Sequence, residues 1–267
     1  MFNIIKADIN RIRKSKSIWI MPLIIFVMVT IICGLFAGLN YVMSLDLSSI
    51  LGDNANALSS IGSFANNGYD MTIMNLQSDT MIYVFLVILL SVSAFDFSSG
   101  TVKNLLSIGK SKSKIYFSKL ITSYIWAIIG VVFYAIISTC MSYIFFQDAI
   151  TFDNIKNIFV ITIRHIPVYL AVLTIGHVFV FATQKVAPTM LLYIGTFMFF
   201  ETIMPIIDMI LDWPIKISLI MPIYQLVELT AQNVSVTSYL TIYIVSLLYI
   251  LCGAFGGYYL FKKEEIK

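Results

Sequence analysis

Apolar residues gather along the chain in six blocks, at about 18–39, 81–95, 115–146, 158–182, 187–207 and 239–261, separated by stretches rich in Ser, Asn, Gly, Asp or Lys. A bilayer core about 30 Å thick needs about 20 apolar residues of α-helix at a rise of about 1.5 Å per residue. Each block therefore reads as a transmembrane helix. The second is the shortest, and the third is longer than a membrane requires, so its first turns are expected to continue outside the bilayer. The first block is too long for the apolar part of a signal peptide and has no small-x-small cleavage site, so it is expected to be retained.

Between the blocks the pattern changes sharply. Residues 1–17 carry five Lys/Arg against one Asp, with Phe2, Ile5, Ile9 and Ile12 at helical spacing. This predicts an amphipathic helix lying in the membrane interface. Residues 40–79 hold four Asp and no Lys or Arg, and read as an exposed loop. Residues 208–236 mix apolar residues with Pro214, Pro222, Asp208, Asp212, Lys216 and Glu228. Broken backbone at membrane depth survives only where protein or a wet cavity shields it, so short helices that dip into the outer leaflet and return are expected. The fold class predicted is an all-α membrane protein of six spans in one domain, residues 1–267.

Composition agrees: 59% of the 267 residues are hydrophobic and 12% charged, too little charge to cover a water-soluble globule. The placing of charge carries more information than its total. With both termini, the 96–119 segment and the 183–186 turn inside, fourteen of the seventeen Lys/Arg are cytoplasmic and ten of the fourteen acids lie outside. Only an even number of spans with both ends cytoplasmic satisfies that split. Cys33, Cys140 and Cys252 each fall inside a different apolar block and read as small packing residues. Nothing suggests a nucleic-acid partner.

Candidate chemistry is sparse. Gly109-Lys110-Ser111 copies the end of a phosphate-binding loop, but Asn104 stands where its first glycine belongs and no strand precedes it. No cofactor is expected on this chain. His165 and His177 have no metal-binding spacing and no metal site is expected; His165 reads as interfacial packing beside Arg164, and His177 as an interhelical hydrogen-bonding group. Glu201 lies inside the fifth block, where an ionised carboxylate costs about 2.5–3.5 kcal/mol. It either lines a substrate path, with His177, or is a paired structural group. Gly34-x-x-x-Gly38 and Gly253-x-x-x-Gly257 mark helix-packing seams, within the chain or between two copies.

The most informative stretch lies between the second and third blocks, FDFSSGTVKNLLSIGKSKSKIYFSKL. Ser98 and Ser99 can cap a short helix, Gly109 can end it, and Val102, Leu105 and Leu106 fall at i, i+3, i+4 to form one apolar edge. Such a rod cannot bury its edge alone and is suited to a groove in a partner. Here the sequence resembles the membrane subunits of ABC-2 type transporters, in which a G-T-[IV]-K-N-L-L-S segment, a basic turn and a Tyr-x-x-[SG]-K-L helix start form the coupling region. Gly100, Thr101, Lys103, Asn104, Leu105 and Leu106, then Tyr116, Lys119 and Leu120, match it. The resemblance implies a permease with no ATPase site of its own, a separate ATP-binding subunit that carries ATP and Mg, and a second permease copy or a sister permease. It further implies export of a hydrophobic or amphipathic substrate, similar to the small Gram-positive permeases for membrane-active peptides that serve self-protection or resistance. Rival readings are a non-transporting immunity protein or scaffold that sequesters a toxin, a proton-coupled carrier, for which internal repeats and several intramembrane acids are missing, and an intramembrane hydrolase, for which catalytic pairs are missing.

Overall fold

Each apolar block becomes a helix whose length follows its run of apolar residues and whose ends follow its polar flanks. The computed structural model describes residues 1–44, 65, 67–211, 220–231 and 235–263. Its helices are α1 (Phe2–Lys14), α2 (Lys16–Ser44), α3 (Gly68–Gln77), α4 (Thr80–Leu89), a π-helical turn (Leu90–Ala94), α5 (Phe95–Ser98), α6 (Thr101–Ser107), α7 (Lys112–Phe146), α8 (Phe152–Thr183), α9 (Val186–Leu211), α10 (Pro222–Thr230) and α11 (Val236–Lys263). Six of these are long and apolar enough to cross a membrane: Trp19–Val42, Thr80–Ser98 (α4 through α5), Lys112–Phe146, Phe152–Thr183, Val186–Leu211 and Val236–Lys263. The chain is an all-α, multi-pass membrane protein.

Local signals set the boundaries. Ser111 and Thr151 cap α7 and α8, accepting hydrogen bonds from the backbone of Lys114 (3.4 Å) and Asn154 (3.3 Å). The Ser111 hydroxyl is thereby engaged as a helix cap within the Gly-Lys-Ser sequence. Helices α8 and α9 start and end beyond the expected blocks, and α9 continues through Pro205 to Leu211.

The bundle has a buried centre and an open periphery. In the most apolar part of the second, third and fourth spans, 67%, 44% and 56% of residues are buried, against 22%, 11% and 22% in the first, fifth and sixth. Phe85 on α4 meets Tyr169 on α8 edge to face at 5.4 Å, and Tyr193 on α9 donates to the carbonyl of Ile82 on α4 at 2.7 Å. Helices α8 and α11 pack along much of their length. There Gly253 is needed, because a Cβ would come within 2.8 Å of the Thr174 methyl, and Gly257 lies against Tyr116 and Val178. The Gly253/Gly257 pair is thus an intrachain seam. Among the described residues a Cβ on Gly34 would meet the Phe145 ring at 3.5 Å and one on Gly38 nothing within 4 Å.

Two segments expected to be irregular contain packed helices. Residues 45–64 and 66 of the predicted outer loop lie outside the described residues, but α3 buries Met71, Thr72, Asn75 and Leu76. Asn67 caps it, Tyr134 donates to the Asn75 carbonyl at 2.6 Å, and Gly68 sits where a Cβ would be 3.1 Å from the Tyr143 backbone. A loop reading based on Asp and Asn content missed this, because those residues here cap and bury. In the second segment residues 212–219, with Asp212, Pro214 and Lys216, lie outside the described residues, as do 232–234 and 264–267. Asp208 belongs to the last turn of α9. Pro222 opens α10 at its first position, where the missing N–H costs nothing. His165 on α8 donates from Nε2 to the Leu226 carbonyl of α10 at 3.1 Å, and Ser246 on α11 donates to Gln225 at 3.3 Å. His165 is therefore a buried anchor for α10.

Candidate coupling site

The end of the bundle that carries α1, α6 and the last turn of α11, here the basal end, holds the predicted coupling segment. A glycine turn stands at each end of α6. Gly100 (φ +73°) precedes it and Gly109 (φ +80°) follows it, both in the left-handed region that favours glycine. The Gly109 N–H donates to Leu106 (2.9 Å) and the Lys110 N–H to Leu105 (3.1 Å), closing the C-terminal carbonyls as Gly-terminated helices do. At the other end Gly100 itself occupies the cap position without a side-chain bond, while Ser99 hydrogen-bonds Thr101 at 2.8 Å. The expected serine cap is replaced by a glycine turn.

The apolar edge of α6 divides. Val102 is 1% exposed and roots the helix in the permease core, so it is unavailable to a partner. Leu105 and Leu106 are half-buried, and Lys103, Asn104 and Ser107 are exposed with Ile108, which is 73% exposed. Ile108 falls at i+6 from Val102, off the i, i+3, i+4 spacing that sequence reasoning used, which is why it was missed.

Aromatic rings connect this hairpin to three spans. Phe97 on α5 meets Phe181 of α8 at 5.1 Å and Phe261 of α11 at 6.0 Å. Tyr116 on α7 meets Phe181 at 4.7 Å and His177 at 5.6 Å, and its hydroxyl donates to the Gly253 carbonyl at 3.3 Å. His177 is fully buried in this cluster and neither ring nitrogen has a hydrogen-bond partner among the described residues. The expected interhelical hydrogen bond is absent, and its neighbours are rings.

Beneath the rings lies a group of four charges. Lys119 on α7 is fully buried and donates from Nζ to Asp8 of α1 at 2.8 Å and to Asp96 of α5. Arg11 of α1 also donates to Asp96 and lies 3.6 Å from Asp8. Two cations and two carboxylates, drawn from the N-terminal helix, the end of the second span and the start of the third, thus neutralise one another. Burial pushes the Asp8 carboxyl above the usual carboxylate range, against the opposing pull of Lys119 and Arg11. Lys119 was counted with the cytoplasmic 96–119 segment; it is buried about two turns into α7, where Asp8 of α1 and Asp96 of α5 meet it.

This cluster adds a protein-facing side to the amphipathic reading of α1. The buried face is Ile4, Ile5, Asp8 and Ile12, whereas Phe2 is exposed, so the helix packs on the protein through a face that includes an acid. Asp8 sits at i+3 from Ile5 and i−4 from Ile12, and that position in the apolar stripe was the available signal.

Glu201 stands apart, toward the opposite end. It accepts a hydrogen bond from Tyr83 of α4 at 3.1 Å, its backbone carbonyl accepts from Tyr224 of α10 at 2.7 Å, and Asp79 lies close by. It joins α9 to α4 and α10, and the structure does not bring it together with His177.

Six membrane-crossing helices, with a short helix rooted by Val102 at one end, define an all-α multi-pass membrane protein. The chain belongs to the ABC-2 family transporter proteins, whose sequence profile matches residues 4–200, from α1 through most of α9. It is accordingly a membrane subunit of an ABC transporter, a family whose members work with an ATP-binding partner subunit. A search of curated proteins finds no match.

Proposed function

We propose that the basal end faces the cytoplasm and that α6 is the docking element for the separate ATP-binding subunit, with Leu105, Leu106 and Ile108 entering its groove and Lys103 at the rim. The carrying observation is α6 itself, rooted by Val102 and bracketed by two left-handed glycines, with apolar residues left uncovered at its tip. ATP closure of the partner pushes α6 as a rigid body, and the aromatic cluster and the ion group pass that push to α7, α8, α11 and α1. The helix α1 lies on the inner interface and α10 is the re-entrant segment on the outer side. A second copy or a sister permease completes the transporter, and α2 and α9, the least covered spans with α11, supply apolar surface for it. The substrate is hydrophobic or amphipathic, a membrane-active peptide, exported from the inner leaflet, because the spans offer little polar lining for a hydrophilic solute. Glu201 is a structural tie or a lining group of that path.

The test is a Leu105→Asp, Leu106→Asp, Ile108→Asp variant. It is expected to keep its yield and helicity in the membrane while co-purification of the ATP-binding subunit falls at least tenfold and ATP-dependent efflux of a fluorescent amphipathic peptide stops. Unchanged co-purification and efflux refute the docking assignment.

A further inference from the structure

The distal end, away from α6, holds Arg164 beside a cavity. Arg164 on α8 is half-buried and donates to the Tyr239 hydroxyl of α11 at 2.7 Å. A guanidinium has five N–H donors in a planar fork, and among the described residues its hydrogen-bond acceptor is the Tyr239 hydroxyl, with the Tyr239 ring centre 4.9 Å from its carbon. No carboxylate lies within ion-pair distance of it among the described residues. Nearby acids are engaged elsewhere: Asp70 accepts from Asn67 at 2.9 Å, and Asp148 accepts from the Gly68 N–H. Arg164 opens onto a cavity of about 230 Å³ lined also by Tyr69, Asn157 and Thr230.

Depth narrows the ligand. Counting back about 20 residues of helix, one bilayer core, from the end of α8 at Thr183 brings the chain to Arg164. That is the boundary between hydrocarbon and headgroups. A partly buried cation there is costly unless an anion meets it, and the fork of a guanidinium matches two oxygens of one phosphate.

We propose that Arg164, Asn157 and Tyr69 form a binding site for a phosphate-type anion, the headgroup phosphate of a distal-leaflet lipid or a free phosphate. Assignment to the outer leaflet rests on the orientation proposed above; the site itself does not. Arg164 supplies charge and a bidentate contact, and the Asn157 amide adds a neutral donor.

The purified permease with its ATP-binding subunit is titrated in detergent with dihexanoyl phosphatidylglycerol and, separately, with inorganic phosphate. Saturable binding of the lipid is expected, weakened at least tenfold by Arg164→Gln and several-fold by Asn157→Leu. Arg164→Lys should retain an intermediate affinity, and Lys156→Gln, an exposed cation on the same helix, should bind as the native protein does. Inorganic phosphate binding with the same Arg164 dependence and no lipid preference identifies a free anion. Binding that is equal in native and Arg164→Gln proteins, or absent for both probes, overturns the site. Labelling of an Asn154→Cys variant, with the three native cysteines replaced by serine, by an impermeant maleimide on intact cells checks orientation separately. Labelling only after lysis overturns the outer-leaflet assignment alone.

Discussion

The two ends of the bundle treat charge in opposite ways. At the basal end Asp8, Arg11, Asp96 and Lys119 meet in a self-neutralising group, and three of the four are nearly or fully buried. At the distal end Arg164 is half-buried and meets a phenol and a cavity. Closed pairing suits a joint that must move as one body, since each ion is fixed by two others. A cation that meets no carboxylate within ion-pair distance among the described residues, beside a cavity, suits recognition, because its neutralisation is left to a ligand. The same contrast holds for the helices: α6 is fixed at Val102 and free at Ile108, whereas α10 is tied at both Leu226 and Gln225.

The sharpest way to break this comparison is Lys119→Met. It leaves two buried carboxylates with only Arg11, and removing one partner of a buried ion pair costs about 3–5 kcal/mol. Thermal unfolding of the detergent-purified complex should show a large loss, mostly recovered when Asp8→Asn and Asp96→Asn are added. Arg164→Gln, by contrast, should leave the unfolding midpoint nearly unchanged in the absence of phosphate-bearing ligands. Equal losses in the two variants would erase the distinction between joint and site.

A middle-sized effect is expected for His165→Leu. It strands the Leu226 carbonyl in a buried setting, a cost of about 1–3 kcal/mol. Proteolysis should cut near α10 faster while α6 still retains the ATP-binding subunit. Unaltered cutting would mean that α10 is held without His165.

The smallest effect is pH dependence through Asp8. Its carboxyl is raised in the folded protein, so the fold binds this proton more tightly than the unfolded chain does. Its contribution to stability is present below the unfolded value and is lost as pH rises through the folded one. Acidification from neutral pH should therefore favour the native protein relative to Asp8→Asn. A difference in unfolding midpoint that stays constant or shrinks on acidification would show that Lys119 and Arg11, not burial, dominate at that carboxyl.

Much of the fold was legible because each span has one physical cause, the need for about 20 apolar residues. Helix α6 was legible because Gly109 and the Leu105–Leu106 pair carry local geometry. What escaped depends on partners far apart in sequence. Lys119 looks like any cation in a basic run until α1 brings Asp8 to it, 111 residues away. Helix α3 looked like loop because its Asn and Asp residues read as solvated, while Tyr134 and Asp148 supply its ends from distant segments. Val102 shares its spacing with Leu105 and Leu106, and only tertiary packing shows that it points inward. His177 escaped in another way: a histidine in an apolar block invites a polar role, and rings enclosed it.

The second span departs from regular α-helix over Leu90–Ala94, five residues before the chain leaves the bundle. A π-turn accommodates about one extra residue per turn, so all that follows is displaced around the axis by about 100° relative to an unbroken helix begun at Thr80. Phase, then, is what this short irregularity sets. It decides which side of the helix Asp96 and Phe97 occupy when they emerge, and so the compass bearing from which α6 departs.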